Sequence, residues 1–201
     1  LGIGLELPLA CHRIIAADNP KAKIGLPEIL VGIFPGGGGT TRLVRKMGVM
    51  MAAPFLLEGK LSDPKSAKAA GLIDEVVAPE DLLARAKEWV LSAKDTDLVK
   101  PWDDKGYKMP GGTPSNPKIA GMLSVAPAVL KQKTRGLYPA PEAALAAMVE
   151  GAMVDFDTAM RIESRYLAGL MTSQVARNMI NTFFFNMNSI KGGQSRPKAV
   201  P

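Results

Sequence analysis

The stretch that constrains this chain most is its first forty residues. They hold a glutamate behind a glycine turn (LGIGLEL), a second glutamate in IGLPEILVG, and the run FPGGGGTTRL that opens a helix. Glycine just ahead of a helix lets the backbone turn sharply and leaves the free N–H groups of the first helical turn open to another molecule. Leu5, Leu7, Leu9 and Ala10 around Glu6 predict a short buried helix starting near Leu5. Pro8 then falls in the first turn, where its missing N–H removes only a donor without an intrahelical partner.

Glu28 sits in a Pro-Glu step among Ile24, Leu26, Ile29, Leu30, Val31 and Ile33. A carboxylate is costly to bury as a charge, so this one must be paired, hydrogen-bonded or partly protonated. Such a setting suits a catalytic acid or a buried ion pair, and Glu6 alone suits a helix-dipole contact. Together, two acids and a cluster of free amides suit one kind of reaction: holding water between two carboxyls beside a polarised carbonyl. Two acids around one water push their proton affinities apart, so that one can give a proton while the other takes one. Backbone N–H groups stabilise the oxyanion formed when the carbonyl accepts electron density.

The glycine run does not make a nucleotide site. No Lys-Ser/Thr follows it as a P-loop needs, and the third glycine of a dinucleotide fingerprint would fall on Thr41. A plain flexible helix entry is the simpler reading. Formal charge is +6, from 25 basic and 19 acidic residues, which suits an anionic ligand but leaves coenzyme A, nucleic acid and an acidic partner all open. With one cysteine, Cys11, and one histidine, His12, neither an internal disulfide nor a clustered zinc site can form, and a reducing compartment is the default. Cys11 reads as a buried small apolar residue. No apolar run approaches 18 residues, and no charged-then-apolar leader is present.

The order GxGLEL, then ACHRIIAADNPKAKIGLPEILVGIFPGGGGTTRL, resembles the enoyl-CoA hydratase/isomerase (crotonase) superfamily, in which a glycine-rich turn, a Glu, a Pro-Glu step and a P-G-x-G-G-T-x-R-L run occur in that register. The GLIDEVV step at 71–77 resembles it too. The resemblance implies that Glu6 and Glu28 are the two water-activating glutamates, that the Ile3 N–H is one half of the oxyanion hole, and that the Gly36 amide helps hold the catalytic water. Ile3 stands where the family usually has Gly: a backbone donor survives the Ile side chain, but Ile disfavours positive φ and can narrow the pocket, so the geometry and the acyl-chain preference there stay open. The implied fold is α/β, a crotonase-like ββα spiral lacking its N-terminal part, followed by a helical C-terminal region.

The implied reaction is hydration of a 2-enoyl-CoA to a 3-hydroxyacyl-CoA in fatty-acid β-oxidation. Within the superfamily a double-bond isomerase is the alternative, and a non-catalytic acyl-CoA-binding or assembly module is the other. Acyl-CoA is then the substrate, with no nucleic-acid partner, no metal and no cofactor in this segment. The helical tail and the Pro/Gly-rich stretch before it resemble the end of the hydratase half of a large fatty-acid oxidation subunit. This second resemblance implies a following NAD-dependent 3-hydroxyacyl-CoA dehydrogenase domain, a thiolase partner subunit, oligomeric assembly, and a cytoplasmic location (the mitochondrial matrix in a eukaryote). Because residue 1 falls inside the motif, the chain reads as an excerpt that would be inactive alone, lacking the other oxyanion donor and an adenine-binding loop.

The expected organisation is a catalytic core at 1–94, a Pro/Gly-rich excursion or hinge at 95–118, a helical region at 119–191 and a linker at 192–201. Within the core, strands are predicted at 13–17 and 72–77. Helices are predicted at 49–57, broken by Pro54, at 65–70 with Asp63 as N-cap, and from Pro79, with Leu82, Leu83, Ala86, Val90 and Ala93 on its inner face. The tail predicts helices at 126–134, 141–171 and 174–187. Phe156, Met160, Leu167 and Met171 share one face of the middle one, and the methionines of the tail suit core packing or the wall of an acyl tunnel. Phe183, Phe184 and Phe185 cannot all enter one core from one helix, so at least one should meet another domain or subunit.

Overall fold

The computed structural model describes residues 1–194, 196 and 197; the end of the expected linker, including Pro201, lies outside the described residues. Helix α1 spans Ile3–Ala10 and enters from Gly2, whose φ of 59° is open to glycine. It therefore begins two residues before the expected point, and Pro8 falls in its second turn rather than its first. The helix outlasts Pro8 by only two residues and closes with a tight Cys11 N–H to Pro8 carbonyl bond of 2.9 Å. Cys11 is exposed, contrary to the buried position expected, because it stands at the helix C-cap and not within a strand.

Strand β1, Ile15–Ala17, pairs in parallel with β2, Glu75–Val77, Ile15 opposite Glu75. Both are shorter than the sequence suggests; ahead of β2, Leu72 and Ile73 are spent in the core rather than in the ladder. Between the strands run a 3-10 turn at Pro27–Val31 and helices α2 (Gly39–Met47), α3 (Val49–Leu57) and α4 (Pro64–Ala69). Pro54 is accommodated inside α3 without ending it. As predicted, Asp63 caps α4, accepting the Ser66 N–H at 3.0 Å. Helix α5, Leu82–Ser92, follows β2, and its apolar stripe is not buried: Leu83, Val90 and Leu91 are exposed.

Residues 95–118 form short 3-10 turns at Asp95–Leu98 and Pro101–Asp103 and then an irregular stretch lying against the core. Met109 is buried there, and the Tyr107 hydroxyl donates to the Arg45 carbonyl at 2.6 Å. The tail holds α6 (Pro117–Thr134), α7 (Pro139–Gly151), α8 (Phe156–Met171), α9 (Gln174–Met179), a π-helical segment at Ile180–Asn186, and α10 (Met187–Lys191). The single helix expected at 141–171 is two, since Asp155 caps a fresh start by accepting the Thr158 N–H.

Two apolar clusters result. One joins Leu5 and Leu9 of α1 to Leu43, Val44, Phe55, Leu56, Leu72 and Met148. The other packs Ile29 and Phe34 against Ala140, Ala144, Ala147 and Leu170. Leu5 and Leu9 lie in the first cluster and Phe34 in the second, so Glu6 and the glycine turn after Pro35 fall where the two meet. No helix among the described residues is long and apolar enough to cross a membrane.

Candidate active site

Glu6 faces inward on α1 and is 4% exposed. Its Oε1 accepts the N–H groups of Gly37 and Gly39, each at 2.8 Å. A Cβ at Gly39 would stand 2.6 Å from that oxygen, and one at Gly37 would stand 2.9 Å from Oε2. Thus the glycines at 37 and 39 are required by the close approach of the Glu6 carboxylate, and a plain flexible helix entry does not describe them.

Glu28 lies in the 3-10 turn behind Pro27, its Oε1 2.9 Å from where a Cβ on Gly2 would be. Its Oε2 is buried without a hydrogen-bond partner among the described residues. Burial pushes its carboxyl above the usual range, its own backbone partly opposes this, and the nearby Glu6 charge adds to the rise. The two predicted acids therefore lie close enough for the Glu6 charge to be felt at Glu28, and in unlike settings: one held by amides, the other half-buried and pushed toward its neutral form.

Ile3 is the first residue of α1, so its N–H has no intrahelical partner, and no acceptor takes it among the described residues. Ile3 is not strained: the positive φ falls on Gly2, and among the described residues Arg135 alone of the non-glycines has one. Ile3 is 71% exposed beside the exposed Leu1 and Leu7. Gly36 is half-buried, and its amide has no partner among the described residues, whereas the next amides of the turn are engaged.

Residues 1–96 match the model of the enoyl-CoA hydratase/isomerase family. Those residues belong to that family. The chain is 34% identical over 205 residues to the fatty acid oxidation complex subunit alpha of Shewanella amazonensis, covering 100% of this chain and 28% of that protein. With the Shewanella halifaxensis protein of the same name it shares 36% over 184 residues, covering 92% of this chain and 26% of that one. The chain thus spans little more than a quarter of the curated relatives it matches. Among solved structures, it is similar to an enoyl-CoA hydratase of Mycobacterium avium subsp. paratuberculosis (TM-score 0.55, 19% identity, 90% of this chain and 58% of that one). A carnitinyl-CoA hydratase of Mycobacterium avium matches comparably (TM-score 0.55, 23% identity, 92% and 56%). At these identities the likeness shows the crotonase fold.

One residue of the site escaped the sequence reading. Glu163 on α8 is 1% exposed and accepts the Gly38 N–H at 2.7 Å, the Thr41 N–H at 2.7 Å and the Thr41 hydroxyl at 2.6 Å. Burial pushes its carboxyl up, the Thr41 and Gly38 donors oppose that, and the Glu6 charge adds to it. A signal for it was present: Ala159, Glu163 and Leu170 lie on one buried face of α8, and a charge within an apolar stripe demands partners.

Proposed function

We propose that this chain carries the water-activating half of an enoyl-CoA hydratase, adding water across the 2,3 double bond of a 2-enoyl-CoA during fatty-acid oxidation. The observation that carries the reading is that Glu6, held by the Gly37 and Gly39 amides, and Glu28, lying against Gly2 and feeling the Glu6 charge, stand in unlike environments near the free amide of Ile3. In this reading the Ile3 N–H donates to the thioester oxygen as negative charge develops on it, contributing about 3 kcal/mol of barrier lowering. Water oxygen bonds to C3 while Glu6 takes one of its protons, and Glu28, biased toward its neutral form, delivers its own proton to C2. Exchange of a proton between the two carboxyls then restores the starting state, and such assistance is worth about 10²- to 10⁴-fold. The Gly36 amide is assigned to the attacking water, and the exposed apolar residues Leu1, Ile3 and Leu7 would face the acyl chain.

The names of the curated relatives support placing the chain in the alpha subunit of a fatty-acid oxidation complex. We assign 1–94 to the catalytic core, 95–118 to an excursion, 119–191 to a helical region and 192–201 to a linker. In that assignment an NAD-dependent dehydrogenase domain would follow, a thiolase subunit would be the partner, and the location would be cytoplasmic. Hydration and isomerisation are separated by supplying the full-length protein with a 2-enoyl-CoA and a 3-enoyl-CoA. Loss of the conjugated absorbance of the 2-enoyl substrate is expected. Double-bond migration alone would mean an isomerase, and binding without turnover an acyl-CoA-binding module.

A further inference from the structure

The glycine turn presents its amides to two carboxylates in alternation: Gly37 and Gly39 to Glu6, Gly38 and Thr41 to Glu163. Neighbouring amides that serve different acceptors cannot rotate independently, so fixing Gly38 and Thr41 also fixes the two groups that hold Glu6. Four glycines in succession have little intrinsic preference for any one arrangement. Something outside the turn must therefore select it.

Glu163 is placed to do this. It reaches the turn from α8, more than 120 residues along the chain, and among the described residues its carboxylate accepts only from donors of the turn. Among the described residues no Lys or Arg forms an ion pair with it. If closing α8 on α2 were its whole task, an apolar side chain would do so without the cost of burying a carboxylate. The geometry points to Glu163 as a positioning residue for hydration, which holds the amides of Gly37 and Gly39 in the arrangement that fixes the Glu6 carboxylate. This inference rests on the hydratase reading above, and its test separates the two.

In the full-length protein, Glu163→Gln keeps the volume but turns an NH₂ group toward the Gly38 amide or the Thr41 donors. The expected result is a fall in kcat of about 10-fold or more with KM changed by less than about 2-fold, since Glu6 acts on water and not in coenzyme binding. Because Glu163 works through Glu6, the double variant Glu6→Gln/Glu163→Gln should be no slower than Glu6→Gln alone, whereas independent roles would multiply the losses. Thr41→Val, which removes one hydroxyl donor and keeps the amide, should lower kcat in the same direction by a few-fold, and it carries the test if the Gln variant does not fold. A folded Glu163→Gln variant, or a Thr41→Val variant, with wild-type kcat overturns the inference while leaving the hydratase reading intact, as does multiplicative loss in the double variant. Full activity of Glu6→Gln would overturn both.

Discussion

Glu6, Glu28 and Glu163 are three carboxyls in one small region, and their differences follow from what each touches. Glu28 and Glu163 are both raised by burial, so the folded protein holds their protons above the ordinary carboxylate value of 4.5 while the unfolded chain releases them there. Between 4.5 and the folded values the native state binds more protons than the unfolded state, and stability falls as pH rises through that window. Glu28→Gln, permanently neutral, should flatten that decline in melting temperature measured from pH 4 upward. An unchanged slope would show that the Glu28 carboxyl is solvated. Ile3 offers a cleaner test than the sequence suggested, because proline is well tolerated at the first helical position. Ile3→Pro should keep the melting temperature close to wild type and cost about 10²-fold in kcat, and Ile3→Gly should retain activity. Equal activity of the proline variant would place the oxyanion donor elsewhere.

At the scale of elements, the glycine turn is clamped between α1 and α8. A Cβ added at Gly36 would overlap the Leu167 side chain, with Cγ at 2.9 Å and Cβ at 3.1 Å, so the whole side chain must move. Gly36→Ala should destabilise the fold by about 1–3 kcal/mol in denaturant melts, and Leu167→Ala in the same chain should remove most of the clash term. Independent, additive losses would show that α8 does not press on the turn there. The sequence disclosed α2, the Asp63 cap and the two strands β1 and β2, though not their parallel pairing, because local propensity and burial pattern agree at those places. It misplaced the start of α1 because the decisive residue, Gly2, acts through its backbone angle and not through hydrophobic spacing. The Asp155 cap was hidden inside a continuous helical pattern, so α7 and α8 were read as one. Of the tail methionines, Met148 packs in the core, one of the two roles the sequence offered, while Met153 and Met171 are 60% exposed. Met171 does not share the buried face of α8 as the spacing had suggested.

Across the whole molecule, the candidate site lies where two apolar clusters meet, with Glu6 and Glu28 from the start of the chain and Glu163 from the helical tail. Glu6 and Glu28 could be put forward from the sequence because their motif is local and ordered, with the two acids and the glycine run falling within forty residues. Glu163 could not, because its partners lie far off in sequence and only packing brings α8 to the turn. Phe183, Phe184 and Phe185 are each more than half exposed, and the face of α5 bearing Leu83, Val90 and Leu91 is open as well.

The central claim is that Glu6 and Glu28 act together on one water. Its most direct measurement is steady-state hydration of a short 2-enoyl-CoA by the full-length protein and its Glu6→Gln and Glu28→Gln variants, with acyl-CoA affinity determined in parallel. Each variant should lose roughly 10²- to 10⁴-fold in kcat and remain folded, with acyl-CoA affinity within about 3-fold of wild type. Hydration at the wild-type rate by either folded variant would contradict the account.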